Sequence, residues 1–177
     1  MCNLIVFLVV LASSSTLTVV KSDMNTIQTT CKNTKYFDLC ISALKSDPRS
    51  STADPKGLAA IIAGNATATA NATAAYLSGE LYDSSNDSVL KKVLKDCGDK
   101  YSLAADSLRL SVQDLDSEDY DYAYMHVMAA EEYPNVCRNI FLRRKGLVYP
   151  PEIRRREEGL KRICDVTSGI IINSLGE

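Results

Sequence analysis

His126 is the sole histidine of the 177-residue chain, and it sits among Tyr124, Met125 and Met128. A catalytic base needs a nucleophile and an orienting group within hydrogen-bond reach. No residue three or four positions away supplies that pair. The chain has no G-x-S-x-G elbow and no glycine-rich phosphate loop. Cys164 is a nucleophile by type, yet it falls on the apolar stripe of a helical segment. Reactive cysteines need exposure and a lowered pKa, so Cys164 reads as a buried, inert thiol. Paired carboxylates hydrolyse glycosides, and acids are plentiful: Asp96, Asp99 and Asp106 on one segment, then Asp114, Asp116, Glu118, Asp119 and Asp121 around the next turn. Acids spread along a helix form a solvated face. A sugar cleft would also want aromatic walls, and the chain has no Trp and three Phe. Catalysis is therefore not expected.

The remaining cysteines say where the chain works. Residues Leu4 to Leu11 form an eight-residue apolar run, too short for a bilayer, which needs roughly 20. With Val20 and Ser22 at positions −3 and −1, cleavage before Asp23 fits a signal peptide over 1–22, although Met1-Cys2-Asn3 brings no Lys or Arg. The product is secreted and free of the membrane. It keeps Cys31, Cys40, Cys97, Cys137 and Cys164, an odd count that implies two bridges and one leftover thiol. With no CxxC pair and one His, no metal site is expected. Sequons at Asn65, Asn71 and Asn86 accord with secretion, Asn86 at a turn being the best glycan acceptor.

Four long segments must position these groups, and all have helical period. Leu90, Leu94, Cys97, Tyr101, Ala104, Leu108, Val112 and Leu115 recur at steps of three and four, giving one apolar seam. Before it, Asp54-Pro55 signals a helix start, with Leu58, Ile61, Ile62, Asn65, Thr69, Ala72 and Tyr76 on one stripe. A third helix runs from Asp119 to about Phe141 with Ala123, Val127, Ala130 and Cys137 inward. A fourth starts at Pro150-Pro151-Glu152 and buries Ile153, Leu160, Ile163, Cys164, Ile170 and Ile171. Short connections make neighbours antiparallel, so the expected fold is all-α, an up-down-up-down four-helix bundle over 54–177. Residues 23–53 form a disulfide-clipped helical hairpin leaning on or projecting from it. Cys97 and Cys137 are each 20 residues from Ser117, which puts both about 30 Å from that turn on facing helices. Cys137 and Cys164 are likewise equidistant from Pro150-Pro151, so spacing leaves two partners for Cys137.

Charge divides the chain. The total, 20 basic and 22 acidic residues, is nearly neutral and offers no nucleic-acid footprint. Residues 23–141 hold 11 basic and 17 acidic residues, net −6, whereas 142–177 hold 8 and 5, net +3. Such asymmetry steers a charged protein partner, and Tyr120, Tyr122 and Tyr124 beside the acidic turn are the types that anchor interfaces.

Cys31 and Cys40, Ser46-Asp47-Pro48-Arg49-Ser50, Gly57-Leu58, Cys97, Cys137 and Leu160-x-x-Ile163-Cys164-Asp165 together resemble the plant invertase inhibitor and pectin methylesterase inhibitor family. The resemblance covers the chain from residue 23 onward. It implies the same bundle with an N-terminal hairpin, bridges Cys31–Cys40 and Cys97–Cys137, a free Cys164, and no cofactor. It implies a protein that binds and blocks a carbohydrate-active enzyme of the cell wall or vacuole. Invertase inhibitors resemble one another in a Pro-Lys-Phe tripeptide at the start of the third bundle helix, where this chain reads Tyr120-Asp121-Tyr122. The lost Pro and the Lys-to-Asp reversal turn the expectation toward pectin methylesterase. So do Asp119-Tyr120 and the acids Asp99 and Asp106, with Leu103 standing where those inhibitors often have an acid. The expected complex is one-to-one, through Asp99, Leu103, Asp106, Tyr120, Asp121 and Tyr122. Acid invertase is the alternative target, and a helical carrier of a small apolar ligand, with a sizeable internal pocket, is the remote one.

Overall fold

A computed structural model describes residues 24–176, so the signal peptide expected over 1–22 lies outside the described residues. The elements in order are α1 (Met24–Cys31), α2 (Phe37–Ser46), a 3-10 turn (Pro48–Ser51), α3 (Pro55–Ser78), the single turn α4 (Glu80–Asp83), α5 (Ser88–Asp116), α6 (Tyr120–Leu142), α7 (Pro151–Ile170) and a wide π turn (Ile171–Leu175). No strand occurs among the described residues. The four long helices close a ring: α3 packs on α5 and α7, and α6 packs on the same two.

Local chemistry sets the helix starts. The Asp54 carboxylate accepts from the Gly57 amide at 2.7 Å, and Pro55 occupies the first helical position. Asp87 accepts from the amides of Val89 at 2.8 Å and Leu90 at 3.2 Å, which begins α5. The seam of α5 is buried through Leu94, Cys97, Tyr101, Ala104, Leu108 and Leu115, while its remaining members, Leu90 near the start and Val112 near the end, are half-buried. On α6 and α7, Ala123, Val127, Ala130, Cys137, Ile153, Leu160, Cys164, Ile170 and Ile171 are buried too. Ile163, expected with them, is half-buried because it borders the cleft between the hairpin and α7.

The stripe of α3 differs from expectation. Ala59, Ala63, Ala66, Ala70, Thr73, Ala74 and Leu77 continue the core from Leu58, Ile61 and Ile62. Asn65, Thr69 and Tyr76 are half-buried and Ala72 is exposed. Alanines and threonines on every side blur the period. Small side chains also let α3 approach α5 closely. A Cβ on Gly98 of α5 would lie 3.5 Å from the Ala74 carbonyl oxygen.

The hairpin leans on the bundle. Ile27, Cys31, Cys40 and Leu44 join the common core. The Lys35 ammonium reaches Asp165 of α7 at 2.9 Å, and the Asn173 amide donates to the Asn33 carbonyl at 3.2 Å. Cys31 is bonded to Cys40 and Cys97 to Cys137, while Cys164 is free and buried. The second bridge closes 40 residues and contributes about 4 kcal/mol by chain-entropy reasoning.

One charged group lies wholly inside. Glu157 of α7 is 0% exposed. Its carboxylate pairs with the Arg138 guanidinium of α6, meets the Lys161 ammonium at 3.0 Å, and accepts from the Tyr149 hydroxyl at 2.9 Å. Burial pushes the Tyr149 hydroxyl up to about 12 and raises Tyr101 beside it. Tyr149 therefore stays protonated and able to donate.

Candidate functional site

The α5–α6 turn is held from three sides. The Asp119 amide donates to the Asp114 carbonyl at 2.8 Å. Glu118, in the left-handed region at φ 64°, pairs with Lys56 at the start of α3 at 3.0 Å. Just below, His126 Nδ1 and Asp114 Oδ2 are 2.6 Å apart, both half-buried. The histidine's partner thus comes from the neighbouring helix. Spacing along α6 alone does not reveal it; the antiparallel register of α5 and α6 does.

This clamped turn presents Tyr122, 61% exposed, just after the solvated acids Asp119 and Asp121. Neither acid has an ion pair among the described residues, so their field is free to act on a partner. Tyr120 and Tyr124 are half-buried and pack against the core, which leaves Tyr122 as the outward-facing tyrosine of the three. A shallow cleft of about 280 Å³ runs beside the turn. Its walls are Glu118 to Tyr122 together with Leu175 and Gly176. The C-terminal residues are a contribution that the sequence reading did not include. They arrive because the π turn after α7 packs against α6 and α3.

Asp99, Leu103 and Asp106 are exposed on α5, but the structure strings them along the helix. Asp99 lies about 25 Å from the end of α5 by helical rise, so only a partner lying along α5 could touch both Asp99 and Tyr122. Asp106 is engaged by Arg109 one turn on. Leu103 is 39% exposed and Leu110, seven residues on, is 44% exposed. Met125, Met128 and Val136 of α6 are exposed as well. Periodicity analysis discards such residues as off-stripe, yet solvent-facing aliphatics rimmed by charge have the make-up of a contact surface.

Other chemistry is not assembled here. Among the described residues no group of His, Cys, Asp and Glu could hold a metal, and no helix is long and apolar enough to cross a membrane. Burial pushes the Cys164 thiol up to about 12. A surface cleft of about 550 Å³ lies between the hairpin and α7, lined by Tyr36, Phe37, Leu39, Arg162 and Ile163 among others. It opens to solvent outside the bundle core. Asn71 and Asn86 are exposed, and Asn65 is half-buried on α3.

The exposed tyrosine of the described residues, Tyr122, thus sits on a turn fixed by a backbone hydrogen bond and an ion pair, in a bundle clamped by two disulfides. The chain belongs to the plant invertase/pectin methylesterase inhibitor family, whose model matches residues 25–170. It is 62% identical over 160 residues, 90% of this chain and 89% of the relative, to the cell wall / vacuolar inhibitor of fructosidase 2 of Arabidopsis thaliana. It is 37% identical over 152 residues, 82% of this chain and 67% of the relative, to pectinesterase inhibitor 28 of Oryza sativa subsp. japonica. Its fold is similar to that of a mutant pectin methylesterase inhibitor from Arabidopsis, with TM-score 0.66 and 22% identity over 83% of this chain and 95% of that one. The family consists of enzyme inhibitors, not enzymes.

Proposed function

We propose that this chain inhibits an acid invertase (a β-fructofuranosidase) of the cell wall or vacuole, entering the secretory route through its N-terminal 22 residues. The observation that carries this reading is the 62% identity, across nine-tenths of the chain, to a relative named for fructosidase inhibition. The corresponding identity to the rice pectinesterase inhibitor is 37%. That difference outweighs the Tyr120-Asp121-Tyr122 departure, which ranks pectin methylesterase first on motif alone. Pectin methylesterase is the second reading, favoured by the unpaired acids Asp119 and Asp121 and the acidic row Asp99 and Asp106.

In either case inhibition is steric. The enzyme's substrate cleft is covered in a one-to-one complex, with Tyr122 as apolar anchor and Asp119, Asp121, Asp99 and Asp106 facing basic groups. Tyr120 holds the turn in shape, and Leu103 adds apolar contact on α5. A standard interface buries about 800 Å² per partner, more than the turn alone offers, so the exposed faces of α5 and α6 take part. Replacing Tyr122 by Ala should weaken inhibition of acid invertase by about 30-fold, the loss of one buried aromatic anchor. Full inhibition by Tyr122→Ala, with unchanged melting temperature, would remove the turn from the interface.

A further inference from the structure

The basic end of the chain has no place in that complex. Arg143, Arg144 and Lys145 follow the last residue of α6, and the loop then reverses at Gly146 with φ 89°. All three are exposed, and none has an ion pair among the described residues. Arg154, in the first turns of α7, is also exposed and without an ion pair. It borders a small recess with Arg138 and Glu158, which places it beside the end of α6. Many cations elsewhere are matched: Lys35 with Asp165, Arg49 with Asp47, Lys56 with Glu118, Arg109 with Asp106, and Arg155 and Arg156 with Glu152. Lys32, Lys45, Lys95 and Lys100 have no ion pair among the described residues, but no two of them are adjacent in the chain, whereas Arg143, Arg144 and Lys145 are consecutive. Flanking the three loop cations are the two most exposed large aliphatics of the described structure, Leu142 at 71% and Val148 at 81%.

We infer that this basic pole is a second binding surface, and that it takes an acidic polysaccharide, a chain of sugars carrying repeated carboxylates. Three consecutive cations lie within one Debye length of about 10 Å at 0.1 M salt, so they act on a polyanion as one field. The loop is open to solvent, with Leu142 to Gly146 and Val148 all exposed. It therefore suits a flexible polymer read by charge density better than a folded partner read by shape. Leu142 and Val148 rest against the C–H faces of the sugar rings. The pole lies a full α6 from the Tyr122 turn, 23 residues or about 35 Å. One molecule can hold polymer at its base and an enzyme at its tip. This surface does not depend on which enzyme the tip meets.

The test is retention of the oxidised chain on immobilised polygalacturonate, on the fully methyl-esterified polymer, and on polyglutamate, at low salt and pH 6. The expected result is binding to polygalacturonate alone, abolished by roughly 0.5 M salt, where screening shortens to a few ångströms. The triple change Arg143→Glu, Arg144→Glu, Lys145→Glu should weaken it at least about tenfold by reversing the field, while enzyme inhibition and melting temperature stay unchanged. A triple Gln variant should give an intermediate loss. The inference is overturned by no retention, by retention that ignores the triple change, by equal retention on the esterified polymer or on polyglutamate, or by loss of enzyme inhibition in the variant. The last result would make the pole part of the enzyme interface.

Discussion

Replacing Glu157 by Gln keeps the size of the side chain and removes its charge. In the structure the carboxylate holds the Arg138 guanidinium, the Lys161 ammonium at 3.0 Å and the Tyr149 hydroxyl at 2.9 Å, with no exposure of its own. Breaking a buried pair by removing one partner costs about 3–5 kcal/mol. Arg138 and Lys161 keep 43% and 23% of their side chains in solvent and can rehydrate, so the low end applies, about 3 kcal/mol. For a domain of this size each kcal/mol moves the midpoint by about 2–4 °C, so Glu157→Gln should melt about 6–12 °C lower. The assay is calorimetry of the oxidised chain at pH 7. A second variant separates charge burial from packing. Glu157→Leu strands both cations, whereas Arg138→Met with Glu157→Leu removes the α6–α7 ion pair and should recover part of the loss. A shift below about 2 °C for Glu157→Gln, on the same size scaling, would mean that the buried charge contributes little to stability. So would a double variant less stable than Glu157→Leu.

Four further outcomes follow from named groups. Replacing Cys97 and Cys137 together by Ala should cost about 4 kcal/mol, read by denaturant titration, because the bridge closes 40 residues. Glu131 on α6 is held above its ordinary 4.5, first by burial and then by Asp165, against the pull of Lys161 and Lys35. A carboxyl raised in the folded state stabilises it while protonated. That contribution is full below 4.5 and is lost as pH rises through the raised value, so Glu131→Gln should flatten the melting temperature across that mildly acidic window. Cys164, buried and pushed up to about 12, should resist alkylation at pH 8 in the folded protein and react fully once unfolded. Asp99→Lys with Asp106→Lys should slow association with the target enzyme and reduce its salt dependence, measured by stopped flow at low and high salt; an unchanged rate would take α5 out of the encounter.

Sequence and structure agree most closely where the pattern had one period and clear stops. The α5 seam, the Asp54-Pro55 start and the Pro151 start were legible because each rests on local chemistry: a 3.5-residue repeat, a carboxylate cap, a fixed φ. The stripe of α3 was not, because Ala59, Ala63, Ala66 and Ala70 bury as readily as Leu and carry little hydropathic contrast. Pairing Cys137 needed more than counting, since Cys97 and Cys164 are equally spaced from their turns. The site was legible in kind, as tyrosines among acids at one turn. Its extent was not, because Leu175 and Gly176 reach it only through tertiary packing. Glu157 and the partner of His126 were not legible for the same reason. Arg138 and Tyr149, which hold Glu157, and Asp114, which holds His126, come from other elements or from a distant turn.

The inhibitor proposed above is tyrosine-tipped and directed at acid invertase. The most direct measurement is a pair of inhibition constants for the oxidised chain, one against a plant acid invertase and one against a plant pectin methylesterase, at the same mildly acidic pH. Invertase inhibition is expected to be at least about 100-fold tighter, a difference of about 2.7 kcal/mol. Inhibition of the esterase alone would contradict it, and would return the assignment to the Asp119–Tyr122 motif.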